Sequence, residues 1–145
     1  PESRVLQNRE SYASYAGIAK AVSIALFTLP PKEEPVWRRQ AAAFLHQWLD
    51  GNPRVKANVT SLILRLEERN PGMRLLFEAG CIRHALAGEE PVAPQQQTAV
   101  VLGWMMRYYE EQPGLRRDKI MKSMIRARDE GRLDAWIGKE MGMED

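Results

Sequence analysis

The stretch TAVVLGWMMRYYEEQ, residues 98–112, decides the fold. With about 100° between successive helical residues, its apolar and aromatic side chains cover nearly the whole circumference of a helix. The charged residues Arg107, Glu110 and Glu111 fall together on one narrow edge. A helix that is apolar on most sides is a buried helix, and 15 residues are too few to span a bilayer. The stretch therefore predicts a buried central helix.

On both sides of this stretch, apolar residues recur at three- and four-residue steps, and proline or glycine separates the segments. No apolar–polar alternation is sustained, so we expect no sheet. Because the connections are short, we predict an all-α single domain over residues 1–145, an irregular bundle of six or seven mostly antiparallel helices. The other predicted helices are Ser3–Phe27, Glu33–Leu49, one from Asn52-Pro53 to the breaker Asn70-Pro71-Gly72, Met73–Ala87, Leu115–Asp129 and Leu133–Met141.

Composition and charge place few limits on function. The 145 residues carry a net charge of +2 with a pI near 8.9, and this balance is too weak on its own to imply a nucleic-acid partner. The single cysteine, Cys81, rules out an internal disulfide and gives no reason to infer an oxidising compartment. No secretion signal or apolar run of membrane length is recognised, so we expect a cytoplasmic protein with no membrane partner.

Only His46, His84 and Cys81 could supply metal-binding or nucleophilic chemistry, and no known motif surrounds them. Cys81 and His84 are three residues apart on one predicted helical face, which is the single arrangement that suggests a thiolate site. A thiol buried in apolar surroundings is inert, however. We therefore expect no enzyme, no cofactor and no metal, and we keep an enzyme that uses Cys81 as the last alternative.

The one concentrated charge lies between Pro113 and Arg128, where six basic residues stand against one acid. On a helix, four of the six share one quadrant and can follow a phosphate backbone. An ordinary amphipathic helix also needs a charged outer face, and the acidic run 129–145 could neutralise the stripe. Arg117 and Arg128 fall inside the apolar sector, which indicates shallow burial or acidic partners. The candidate nucleic-acid-binding residues are Arg116, Lys119, Lys122 and Arg126.

Tryptophan, arginine and methionine are enriched at protein interfaces, although core packing is their more frequent fate. On this ground the candidate protein-contact residues are Trp37, Arg38, Arg39 and Trp136. We expect a non-enzymatic helical interaction or assembly module, a small subunit of a nucleoprotein complex that contacts nucleic-acid phosphates through the basic helix 115–128. The alternative is a protein–protein interaction or adaptor domain without a nucleic-acid role. Self-association stays open, and no motif assigns the chain to a family.

Overall fold

The computed structural model describes residues 15–88 and 93–141. Within these ranges the chain forms seven α-helices and no strand, which confirms the predicted all-α bundle, and none of the helices is long and apolar enough to cross a membrane. Residues 3–14 of the first predicted helix lie outside the described ranges. The helices are α1 Ala16–Leu26, α2 Pro35–Asp50, α3 Ser61–Arg69, α4 Met73–Ala87, α5 Pro94–Glu111, α6 Lys119–Asp129 and α7 Leu133–Met141.

Helix α4 is the most enclosed element of the bundle, because it packs against α1, α2, α3 and α5. Every residue from Leu76 to Ile82 is buried. Helix α5, which contains residues 98–111 of the predicted central segment 98–112, packs along α4 and also belongs to the core, with Val101 and Met106 fully buried. Trp104 of α5 is only half-buried. The centre of the bundle is therefore shared by α4 and α5, and α4 is the more fully surrounded of the two.

Helix α3 begins at Ser61, so the predicted start at Asn52-Pro53 is wrong. The segment from Val55 to Thr60 contains three β-branched residues and an asparagine, which favour helix less than alanine or leucine does. A side chain from another helix also forms a hydrogen bond with the backbone of this segment. The side chain of Gln97 donates a hydrogen bond of 2.9 Å to the carbonyl of Lys56, and this bond ties the irregular segment to α5.

Candidate functional site

Helix α6 presents positive charge to solvent. Met121 and Met124 are buried, and at about 100° per residue Lys119, Lys122 and Arg126 lie on the opposite, exposed side. None of these three cations forms an ion pair with a described residue. The structure thus places three of the four predicted nucleic-acid-binding residues on one exposed helical face.

The predicted start of this helix at Leu115 is wrong, because Asp118 caps the helix at Lys119. The Asp118 Oδ1 atom accepts hydrogen bonds from the backbone N–H groups of Ile120 and Met121, at 2.8 and 3.2 Å. An N-cap side chain of this kind satisfies the first unpaired donors of the helix and fixes where it begins. The residues before Asp118 consequently form a loop.

Replacement of Asp118 by alanine is expected to lower the free energy of unfolding by about 1 kcal/mol, because the first-turn amides lose their acceptor. Asparagine keeps a side-chain oxygen at the same position, so Asp118→Asn is the matched control and is expected to lose less. Urea unfolding monitored by circular dichroism measures both variants. Equal losses in the two would show that the cap hydrogen bonds do not stabilise the helix.

The loop before α6 carries further arginines close to the start of that helix. Arg116 lies in this loop, so its predicted position on the helical face is wrong. The side chain of Asn70 donates to the carbonyl of Arg116 at 3.0 Å and accepts from its N–H at 2.7 Å. Arg69 donates from Nε to the carbonyl of Arg117 at 2.6 Å. All three arginine side chains are exposed. We define the basic surface as Arg69, Arg116, Arg117, Lys119, Lys122 and Arg126.

Arg128 is oriented differently from the other cations of α6. Its two terminal nitrogens each lie 3.0 Å from a carboxylate oxygen of Glu110, and its Nε donates to Asp129 at 3.0 Å. The hydrogen bonds with Glu110, and then those with Asp129, raise the pKa of Arg128 above its ordinary value. Arg128 is therefore neutralised within the chain, and of the two alternatives for its place in the apolar sector the acidic partners are present.

The four candidate protein-contact residues lie on two helices, α2 and α7. Arg38 donates from Nε and Nη2 to three carbonyls of the loop between α1 and α2, at 2.7, 3.2 and 2.5 Å. Trp37 is half-buried against the core, and so is Trp136, whose Nε1 donates to Ser123 at 3.0 Å. Arg39 is exposed. Three of the four side chains are thus engaged with their own chain.

The Cys81 thiol has neither the access nor the ionisation that a nucleophile needs. Burial, together with the nearby charge of Glu78, raises the pKa of this thiol to about 12, and the residue is fully buried. His84 lies edge-on to Trp104, with ring centroids 6.1 Å apart. We therefore do not carry the Cys81 enzyme alternative further.

A second feature is an open cleft of about 1130 Å³ between the end of α2, the irregular segment after it, α4 and the start of α5. Glu78 is buried at its wall, with Oε1 2.7 Å from His46 Nε2 and Oε2 3.5 Å from Arg74 Nε. The side chains of His46 and Arg74 are half-exposed. Arg54 and Lys56 also line the cleft. The arrangement is one buried carboxylate that holds two basic groups at a concave surface.

In the described part of the chain, no three His, Cys, Asp or Glu side chains lie close enough together to hold a metal ion. No known protein family, curated protein or solved structure matches this chain. The functional interpretation consequently rests on the chemistry and placement of its own residues.

Sequence reasoning missed two parts of this arrangement. Arg69 contacts Arg117 from 48 positions away, and the sequence pattern identifies its neighbour Asn70 only as part of a helix stop. Glu78 and His46 are 32 positions apart. One signal was present: Glu78 interrupts the otherwise uncharged run LLFEAGCI, and a carboxylate in a buried run needs a partner. The sequence does not identify which partner.

Proposed function

We propose that this protein is a non-enzymatic helical assembly module, a small subunit of a nucleoprotein complex, and that it binds nucleic-acid phosphates through the basic surface. The division of charge on α6 carries the proposal. Arg128 is paired with acids, whereas Lys119, Lys122 and Arg126 face solvent with no acidic partner among the described residues. Cations in this state can replace the counterions condensed on a phosphate backbone, which is the main source of sequence-independent affinity.

Three of the described acidic residues at and after the end of α6 are paired elsewhere. Asp129, Glu130 and Glu140 each contact an arginine that lies outside the basic surface, at distances of 3.0, 2.7 and 3.5 Å. Their partners are Arg128, Arg132 and Arg65. Within the described residues, these carboxylates therefore leave the three-residue face of α6 uncompensated, which favours an external anion over an internal one.

The composition of the basic surface also indicates which part of a nucleic acid it would contact. Its six residues are arginines and lysines, and none is aromatic. Single-stranded binders that hold the bases use aromatic side chains as stacking platforms, whereas phosphate contacts carry no base information. The expected binding is to the backbone and depends little on base sequence.

Reversal of charge in the variant Lys119→Glu, Lys122→Glu, Arg126→Glu is expected to weaken binding to generic DNA and RNA by about 100-fold near 0.1 M salt. The slope of log affinity against log salt concentration is expected to fall by about three, one for each lost phosphate contact. Fluorescence anisotropy with labelled oligonucleotides, titrated over salt, measures both quantities.

The matched control reverses Lys20, Lys32 and Arg107, which are exposed and unpaired among the described residues. It changes the net charge by the same amount, so equal weakening in the two variants would reject the basic surface as the site. Absence of binding by the unaltered chain would reject the nucleic-acid role altogether. The protein-interaction alternative, in which a protein partner contacts Trp37, Arg38, Arg39 and Trp136, would then be the better proposal.

A further inference from the structure

Among the described residues, more cations than carboxylates line the cleft beside α4. Its ionisable lining residues are Asp50, Arg54, Lys56, Arg74, Glu78 and His46. The lysine and arginine side chains outnumber the carboxylates even before the imidazole is counted. Arg54 and Lys56 are exposed and form no ion pair with any described residue. A concave surface with unpaired cations concentrates anions.

Glu78 fixes the orientation of the two basic groups on the cleft wall. The Glu78 side chain is 7% exposed, while those of His46 and Arg74 are each 51% exposed. The carboxylate thus lies beneath the surface, and the imidazole and guanidinium lie above it. Because a buried carboxylate needs partners, both groups are held in place before any ligand arrives.

Each of these two groups keeps unused hydrogen-bonding capacity. Arg74 contacts Glu78 through Nε, and its terminal nitrogens bond to no described residue. His46 contacts Glu78 through Nε2, and its Nδ1 likewise has no partner in the described part of the chain. The free edge of a guanidinium presents two parallel N–H donors, which match two oxygens of a phosphate or carboxylate group.

The number of cations favours phosphate over carboxylate. A phosphate monoester carries a charge of about −1.5 to −2 at pH 7 and offers three acceptor oxygens. Arg74, Arg54 and Lys56 supply donors for all three, and the imidazolium form of His46 adds a donor at Nδ1. The cleft also has an apolar part, formed by Leu49, Val55, Ala57, Ala85, Leu86 and Pro94. That part can contact the organic portion of a ligand.

We infer that this cleft binds the phosphate group of an organic phosphate monoester, with Arg74 and His46 as direct ligands and Glu78 as their positioning residue. A free nucleotide and the 5′-phosphorylated end of a nucleic acid both carry this group. The site is separate from the basic surface on α6, so the inference goes beyond the proposed function and can fail or hold independently of it.

The test titrates adenosine 5′-monophosphate into the chain while NMR follows the side-chain signals of His46 and Arg74. The protein carries Lys119→Glu, Lys122→Glu and Arg126→Glu, so that binding at α6 does not contribute. Saturable shifts are expected with the nucleotide and none with adenosine, which lacks the phosphate. Arg74→Gln is expected to weaken binding by about 10- to 150-fold, because a charge-assisted hydrogen bond contributes about 1.5–3 kcal/mol. His46→Gln is expected to weaken it by a smaller factor.

Arg107→Gln is the control, since it removes an exposed cation from the far part of α5 without touching the cleft lining. A 5′-phosphorylated tetranucleotide and its 5′-hydroxyl counterpart distinguish the two ligand sources. Tighter binding of the phosphorylated tetranucleotide than of the mononucleotide indicates a nucleic-acid terminus as the ligand. Tighter binding of the mononucleotide indicates a free nucleotide. The inference is overturned if neither phosphate compound gives saturable shifts, or if Arg74→Gln and His46→Gln bind the nucleotide unchanged. Circular dichroism verifies that each variant is folded, and if one of them is not, the other decides.

Discussion

Truncation of Phe77 to alanine is expected to lower the free energy of unfolding by about 3–5 kcal/mol, the usual range for a phenylalanine lost from a packed core. Phe77 is fully buried in α4, the helix that contacts α1, α2, α3 and α5. Its neighbours Ala79 and Gly80 are too small to fill the space that the ring would leave. The cavity term therefore adds to the lost transfer free energy.

Thermal unfolding of this variant is expected roughly 10 °C below that of the unaltered chain, given the usual relation between stability and melting temperature in a domain of this size. Leu64→Ala is the control, because the Leu64 side chain is 48% exposed on α3 and its truncation leaves no cavity. Should Phe77→Ala and Leu64→Ala cost the same, α4 would not lie at the centre of the bundle.

The residues that place α4 in the core explain why the sequence indicated only α5, which shares the centre with it. The segment 98–112 is rich in large apolar side chains, and these predict burial by themselves. Helix α4 is enclosed for another reason: Ala79, Gly80 and Cys81 are small, so neighbouring helices can approach it closely. A buried Glu78 further weakens its apolar pattern. Close approach depends on the partner helix, and a single stretch of sequence does not contain that information.

The candidate sites show the same division between local and tertiary information. Exposure of Lys119, Lys122 and Arg126 follows from helical periodicity alone, and the sequence predicted it. The start of α6 depends on the Asp118 cap, and the place of Arg116 depends on two hydrogen bonds to Asn70. The cleft requires three separate stretches of the chain, 46–58, 74–88 and 94–98, to converge. Periodicity can therefore predict which face of a helix is charged, but not which distant residues complete a site.

Replacement of Gly80 by valine is expected to lower the free energy of unfolding by about 3 kcal/mol or more, and Gly80→Ala by about 1–3 kcal/mol, through overpacking. A Cβ atom at this position would overlap a methyl group of Val101 on α5. Val101 is fully buried, and a β-branched side chain has one strongly preferred rotamer in a helix. The methyl group cannot turn aside, so α4 and α5 must separate.

Two further variants isolate this cause from the general effects of a glycine substitution. Gly103→Ala places the same methyl group in the middle of α5, where a Cβ meets nothing within 4 Å. Because alanine favours helix over glycine by about 1 kcal/mol, Gly103→Ala is expected to stabilise the chain. In the double variant Gly80→Ala, Val101→Ala, the clash is removed. The double variant is therefore expected to lose less free energy of unfolding than the sum of the losses in the two single variants. Additive losses would mean that α4 and α5 are not in contact at Gly80, and the packing that buries Glu78 beside the cleft would need another explanation.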